Sequence, residues 1–240
     1  MKERIDKILT EYNICTRSEA KKLIRSGCVT ANDITVKDSK EKFDIEIDIL
    51  SVNGKRLSGE RNVYIMMNKP MGVVSATQDN LCKTVIDILP DELKRKGLFP
   101  AGRLDKDTEG FMLITNDGEL AHNILSPNKH VDNKYFAKTD VAITQDMINS
   151  FKDGIVFSDG TKCKPALLEV CDDGCYVTIC EGKFHQVKKM LACVGAKVLY
   201  LKRLQIGELK LDDNLMQGEC RLISRDELKL LFLNKNNTVC

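Results

Sequence analysis

The stretch "GRLDKDTEGFMLIT", residues 102–115, sets Asp105, Asp107 and Glu109 at alternate positions ahead of Gly110 and an apolar run. Three chemistries use such a string: calcium coordination, attack of an aspartate on a phosphate, and attack of an aspartate on a nucleoside. The residues after Gly110 decide the fold. "FMLIT" reads as a strand, whereas an EF-hand needs an exiting helix there and a bidentate glutamate at the twelfth position, which counted from Asp105 is Asn116. Calcium coordination is therefore disfavoured. "DKDT" also fits the aspartyl-phosphate phosphatases, but those place the motif directly after a wholly apolar parallel strand near the start of an alternating α/β fold. Here it follows "FPAGRL" in mid-chain, which leaves the phosphatase as the runner-up enzyme class. A paired-carboxylate glycosidase is weaker still, because Asp105 and Asp107 lie too near in sequence to flank one glycosidic bond.

Outward from the loop, helices and strands mix without regular alternation. "VYIMMNKPMGVVSA" is a strand running into a Pro-Gly loop, "TVIDIL" a helix, and Asn116-Asp117-Gly118 a turn before the helix "ELAHNIL", stopped by Pro127. "KYFAKTDVA", "IVFSDG", "ALLEVCDD" and "CYVTICEG" read as strands, and residues 145–151 as a helix. Val187, Met190, Leu191 and Val194 form a helical stripe ended by Gly195; "VLYLKRLQIGELKL" is a hairpin, and Ser224 with Glu227 caps a last helix. Such an order predicts an α+β domain with a mixed, mostly antiparallel sheet and flanking helices, over residues 63–234. Residues 57–62, "LSGERN", are polar and aperiodic and read as a linker, and residues 235–240 as a tail.

The first 56 residues form a separate small unit. Ile5, Ile8, Leu9 and Tyr12 recur at helical spacing; Thr16 and Glu19 make a capping box for a second helix that buries Ala20, Leu23 and Ile24 and ends at Gly27. Arg17, Lys21 and Arg25 recur every four residues as a basic ridge. "VTANDITV" is a hairpin turning at Asn32-Asp33, "FDIEIDI" alternates with period two, and the unit closes near "SVNGKRL".

Composition narrows the field. A net charge of +2 with 30% charged residues means that any basic patch is local. None of the ten cysteines forms a CxxC pair, so Cys171, Cys175 and Cys180 read as reduced thiols and no metal site is expected. The N-terminus is charged and amphipathic, and no apolar run is long enough to span a bilayer, which predicts a cytoplasmic protein without a membrane partner.

"RIDKILTEYNICTRSEAKKLIRSGCVTANDITV" resembles the RNA-binding domain shared with small-subunit ribosomal protein four; Asn32-Asp33 stands where that family usually has Asn-Gly. The resemblance implies phosphate contacts from Arg4, Lys7, Arg17, Lys21, Lys22 and Arg25. "MNKPMG", "GRLDKDTEG", "NKYF" and "EGKFHQVKKML" follow one another as in the ribosomal RNA pseudouridine synthases, and the chain is similar to that family from Arg4 to about Leu231. "SPNKHVDNKYF" and "KCKPALLEV" look most like the branch acting on 16S rRNA of the small subunit. The resemblance implies an isomerase that uses no cofactor and no metal, works on ribosomal RNA or a pre-ribosomal particle, and acts on a flipped-out uridine. Asp105 would be its essential aspartate, Tyr135 the ring against the uracil, and Lys188 the cation that pairs with Asp105, where other branches use Arg. Arg103, Lys69, His185 and Gln186 would face the RNA, whereas Asp107 and Glu109 would shape the loop by accepting backbone amides, with Lys189 turned towards solvent. Nothing demands more than a monomer. The competing class is a non-catalytic ribosome-assembly factor that only binds RNA.

Overall fold

The structure is a computed structural model that describes residues 2–12, 14–45, 47–57, 62–126 and 131–233. The chain divides into two compact units, Met1–Val63 and Tyr64–Cys240. Most of residues 57–62, Pro127 and residues 235–240, assigned from sequence to the linker, a helix stop and the tail, lie outside the described residues.

In the first unit, strand β1 (Glu3–Arg4) leads into α1 (Ile5–Glu11), and α2 (Arg17–Arg25) follows. Thr16 accepts from the Glu19 amide while the Glu19 carboxylate accepts from the Thr16 amide, so both sides of the capping box are made. Ile5, Ile8, Leu9, Ala20 and Ile24 meet Val29, Leu50 and Val52 in one core. Hairpin β2 (Val29–Ala31) to β3 (Ile34–Thr35) turns at Asn32 and Asp33, both with positive φ, as a two-residue primed turn requires. β4 (Lys42–Phe43) pairs with β1, while β5 (Leu50–Val52) and β6 (Lys55–Arg56) complete a sheet in the order β3-β2-β5-β6. The alternation in "FDIEIDI" does not become a strand beyond Phe43. Asp48 instead accepts from the Asp44 amide, and Asn32 accepts from the Ile49 amide and donates to Asp48. These local side-chain bonds outcompete a ladder, and Ile47 is left exposed.

The second unit is built on one sheet. Its strands are β7 (Tyr64–Lys69), β8 (Phe99–Pro100), β9 (Glu109–Thr115), β10 (Asn133–Thr139), β11 (Leu167–Cys171), β12 (Gly174–Ile179), β13 (Val198–Ile206), β14 (Leu209–Lys210) and β15 (Cys220–Leu222). They run in the order β11-β12-β10-β13-β9-β7-β15, with β14 beside β13 and β8 beside β9. Every pair is antiparallel except β13 with β9, in agreement with the mixed, mostly antiparallel sheet read from sequence. Helices α3 (Gly118–Leu125), α4 (Gln145–Asp153), α5 (Gln186–Cys193) and α6 (Arg225–Leu230) flank it. Met66, Phe111 and Leu113 pack with Ala121, Ile124 and Leu231 in the core beneath α3 and α6.

Two expected elements are shorter than their apolar patterns implied. "TVIDIL" is a single turn rather than a helix: Thr84 and Asp87 cap each other's amides, Val85 and Leu89 are buried, and Pro90 follows at once. "IVFSDG" is reduced to an isolated bridge from Val156 to Lys162, with Ile155 and Phe157 turned inward. Cys171 and Cys175 are free thiols as expected, whereas Cys180 is disulfide-bonded. No described helix is long and apolar enough to cross a membrane.

Candidate active site

Asp105 sits in the loop that enters β9, and the segment after β7 holds that loop by its main chain. Ser75 brackets Leu104, its hydroxyl donating to the Leu104 carbonyl at 2.8 Å and accepting from the Leu104 amide at 3.0 Å. The Gly72 amide donates to the Lys106 carbonyl, and the Thr108 amide closes a turn onto the Asp105 carbonyl. Beneath the turn lies Lys69, with no solvent exposure; its Nζ donates to the carbonyls of Thr108 at 2.8 Å, Pro70 at 3.0 Å and Lys106 at 3.5 Å. Burial pulls its ammonium down to about 8, against the pull of Asp107, Glu109 and Asp105 in the other direction.

The cation facing Asp105 comes from α5. Val187, Met190 and Leu191 bury one face of this helix, which sets Lys188 toward the loop. Its Nζ lies 3.0 Å from Asp105 Oδ2 and 2.6 Å from Asp107 Oδ1. Burial opposes the Lys188 charge, but the hydrogen bonds to Asp107 and Asp105 outweigh it and hold the ammonium above the ordinary lysine value. The Lys188 hydrogen bond keeps the Asp107 carboxyl below its usual range. His185 Nδ1 stands 3.2 Å from the same Asp105 oxygen. His185 reaches it in the left-handed region, φ 54° and ψ 33°, an unfavourable backbone state for a residue with a Cβ. The turn before α5 is braced by Gln186, whose Oε1 accepts from the Lys183 amide and whose Nε2 donates to Glu181.

Tyr135 makes no hydrogen bond to Asp105 and is joined to the loop through the sheet. Tyr135, Arg203, Gly110 and Lys69 are successive cross-strand neighbours on β10, β13, β9 and β7. Arg203, which sequence reasoning passed over, is buried; its Nε donates to the Phe111 carbonyl at 2.7 Å and its Nη1 reaches Asn133 Oδ1 at 3.4 Å. Glu109, also buried, accepts from the Tyr200 hydroxyl at 2.6 Å; burial and then that bond push the phenol well above its usual value. A lone Arg in a strand carries no signal in one sequence; the parallel pairing that brings it to Gly110 appears only in the fold.

The family of the chain follows from its similarity to known proteins. Residues 63–193 match the RNA pseudouridylate synthase family, and residues 3–46 match the S4 domain. The chain belongs to the RNA pseudouridylate synthase family. An uncharacterized RNA pseudouridine synthase of Bacillus subtilis, YtzG, is 44% identical over 95% of this chain and 98% of its own length. The ribosomal small subunit pseudouridine synthase A of Vibrio cholerae is 37% identical over 95% of this chain and 99% of its own. A crystal structure of a pseudouridylate synthase superposes with a TM-score of 0.67 at 35% identity, covering 95% of this chain and 99% of that one. The protein is thus an RNA pseudouridine synthase with an N-terminal S4 domain.

Within this synthase, two residues expected to face RNA are buried. Lys69 is fully enclosed and spends its donors on loop carbonyls, and Gln186 is 4% exposed and bonded within the turn before α5. Both shape the site from below. Asp107 and Glu109, expected to shape the loop by accepting backbone amides, also take side-chain partners, Lys188 and Tyr200. Arg103 is exposed and makes no salt bridge to a described residue. In the S4 unit, Arg4 is bound to Asp6 at 2.6 Å and Lys7 lies between Glu3 and Glu11. Arg17, Lys21, Lys22 and Arg25 are exposed on α2 without a salt bridge to any described residue, so α2 presents an open cationic face.

Replacing Lys69 with Met leaves the Thr108 and Pro70 carbonyls without their donor, at an expected cost of about 2–3 kcal/mol in urea unfolding at neutral pH. The pH dependence separates this from simple repacking. The folded value near 8 lies below the ordinary 10.5, so on raising the pH the folded state loses this proton before the unfolded state does. The wild type therefore gains stability relative to Lys69→Met between those two values, and parallel pH curves for the two proteins would refute the buried ammonium.

Proposed function

We propose that this synthase converts a uridine of small-subunit ribosomal RNA to pseudouridine, with Asp105 acting on the flipped-out nucleotide. The observation that carries the reading is the clamped Asp105 facing the Lys188 ammonium at 3.0 Å. Isomerisation breaks the bond from uracil nitrogen to the ribose and remakes it through carbon, which calls for an ionised carboxylate at the sugar or the ring. The Lys188 ammonium pairs with the Asp105 carboxylate, and its contact with both aspartates holds it beside the loop. Tyr135 supplies an aromatic wall for the extruded base, and Arg103, exposed and outside any salt bridge among the described residues, is the candidate for the gap left in the RNA. The open face of α2 holds RNA phosphates, which gives affinity without sequence reading.

The small-subunit assignment is supported by relatives named as small-subunit synthases, such as the Vibrio cholerae and Pasteurella multocida enzymes, the latter 36% identical. Mapping pseudouridines in ribosomal RNA from cells with and without the gene tests it. One small-subunit position is expected to revert to uridine in the deletion strain and to return with the wild-type gene but not with Asp105→Asn. An unchanged small-subunit map, or a loss confined to the large subunit, would overturn the assignment.

A further inference from the structure

Beside Asp105, the turn that leads into α5 carries a group that neither the isomerisation nor the loop uses. Phe184 is 68% exposed, an unusual state for a large ring next to a buried turn, and it packs T-shaped against His185 with centroids 3.8 Å apart. His185 Nδ1 in turn lies 3.2 Å from Asp105 Oδ2, so this ring is linked to the aspartate through one side chain. One helical turn on, Lys189 is half-buried yet makes no salt bridge with any described residue. Its Nζ sits between two rings instead, 5.2 Å from the centroid of Phe184 and 5.4 Å from that of Phe157. The expectation that Lys189 merely points to solvent is thereby corrected. Next to it opens a pocket of about 270 Å³ lined by Phe157, Ser158, Asp159, Lys189, Ala192 and Cys193. The Asp159 carboxylate accepts from the Thr161 amide and makes no salt bridge with Lys189, although the ammonium lies near enough to help hold that carboxyl below its usual range.

We propose that Phe184 and Lys189 form a subsite for the nucleotide that flanks the target uridine, the base stacking on Phe184 and its phosphate meeting Lys189. The subsite rests on Asp105 marking the position of the target. A ring, a lysine and an adjoining pocket in line are the parts with which proteins hold single-stranded nucleic acid: aromatic faces accept any base, and the cation tracks the backbone. A ring left mostly exposed at this place gains little in folding, but it gains stacking area once the RNA strand is opened around the extruded uridine.

Binding of fluorescein-labelled single-stranded oligouridylate to the full chain, in the Asp105→Asn background, tests the subsite. Phe184→Ala is expected to weaken binding by roughly 5- to 150-fold, the range for loss of one stacked base, with an unchanged salt dependence. Phe184→Trp should restore it and Phe184→Leu should not. Lys189→Gln should flatten the slope of log affinity against log salt by about 0.7, the value for one phosphate of a single strand. Thermal unfolding of each variant should match the parent, since neither side chain is in the core. Equal affinity for Phe184→Ala, full rescue by leucine, an unaltered salt slope for Lys189→Gln, or no binding of oligouridylate by the parent would each overturn the proposal. Tritium release from ribosomal RNA by the enzyme with Asp105 intact is measured in parallel; its failure would count against the target reading, while the binding series still decides the subsite.

Discussion

Asp105→Asn should release tritium from RNA labelled at uracil C5 at least about a thousandfold more slowly than the wild type, with RNA affinity little changed. The substitution keeps the shape of the side chain and removes its charge. The clamp on the loop is made by Ser75, Gly72 and Lys69 through main-chain atoms, so it survives the change. What is lost is the carboxylate that can attack or take a proton, together with the anionic partner of Lys188. Lys188 retains Asp107 at 2.6 Å, so the ammonium stays in place and the effect falls on the chemical step. Release at a tenth of the wild-type rate or faster would mean that another group does the chemistry. The same result would revive the competing class of a protein that only binds RNA.

Gly110→Ala is expected to destabilise the synthase unit by about 3–5 kcal/mol, among the largest effects of any single substitution here. A Cβ at this position would lie 2.2 Å from the Arg203 carbonyl oxygen and 2.8 Å from its nitrogen, and φ is already +101°. Those atoms belong to the parallel pairing of β13 with β9, so neither strand can yield without breaking the ladder. Gly97→Ala is the control. Its φ of +80° imposes a similar left-handed strain, but nothing lies within 4 Å of the added carbon, and the expected cost is only about 1–2 kcal/mol. Urea unfolding of the two variants side by side separates backbone strain from steric clash; equal losses would show that β9 does not approach β13 this closely.

Much of the fold was legible because its signals are local. The Thr16 and Ser224 capping boxes, the Asn32-Asp33 turn and the stripe on α5 each depend on residues three or four apart, and each is found where its chemistry placed it. The misreadings share a cause as well. In "FDIEIDI" and "TVIDIL" an apolar pattern of the right period is interrupted by aspartates whose carboxylates bind nearby amides, and those bonds decide the conformation. At the site, the pairing of Asp105 with Lys188 bridges 83 residues and could be anticipated only from motif resemblance. The burial of Lys69 was not legible at all: a lysine beside a Pro-Gly loop reads as surface until the loop that enters β9 is seen folded over it.

The loop is gripped largely through its main chain, by carbonyls, an amide and a hydroxyl-bound peptide, and Arg103 takes no part in that grip. Its side chain is exposed on a main chain whose path is fixed from beneath, whereas Lys106 reaches across to Cys82 Sγ at 3.2 Å. Evolution, or a protein engineer, can therefore exchange the residue at position 103 without displacing Asp105 two positions on. Under the proposed function, recognition and reactivity would then occupy neighbouring residues of one loop and could be inherited separately.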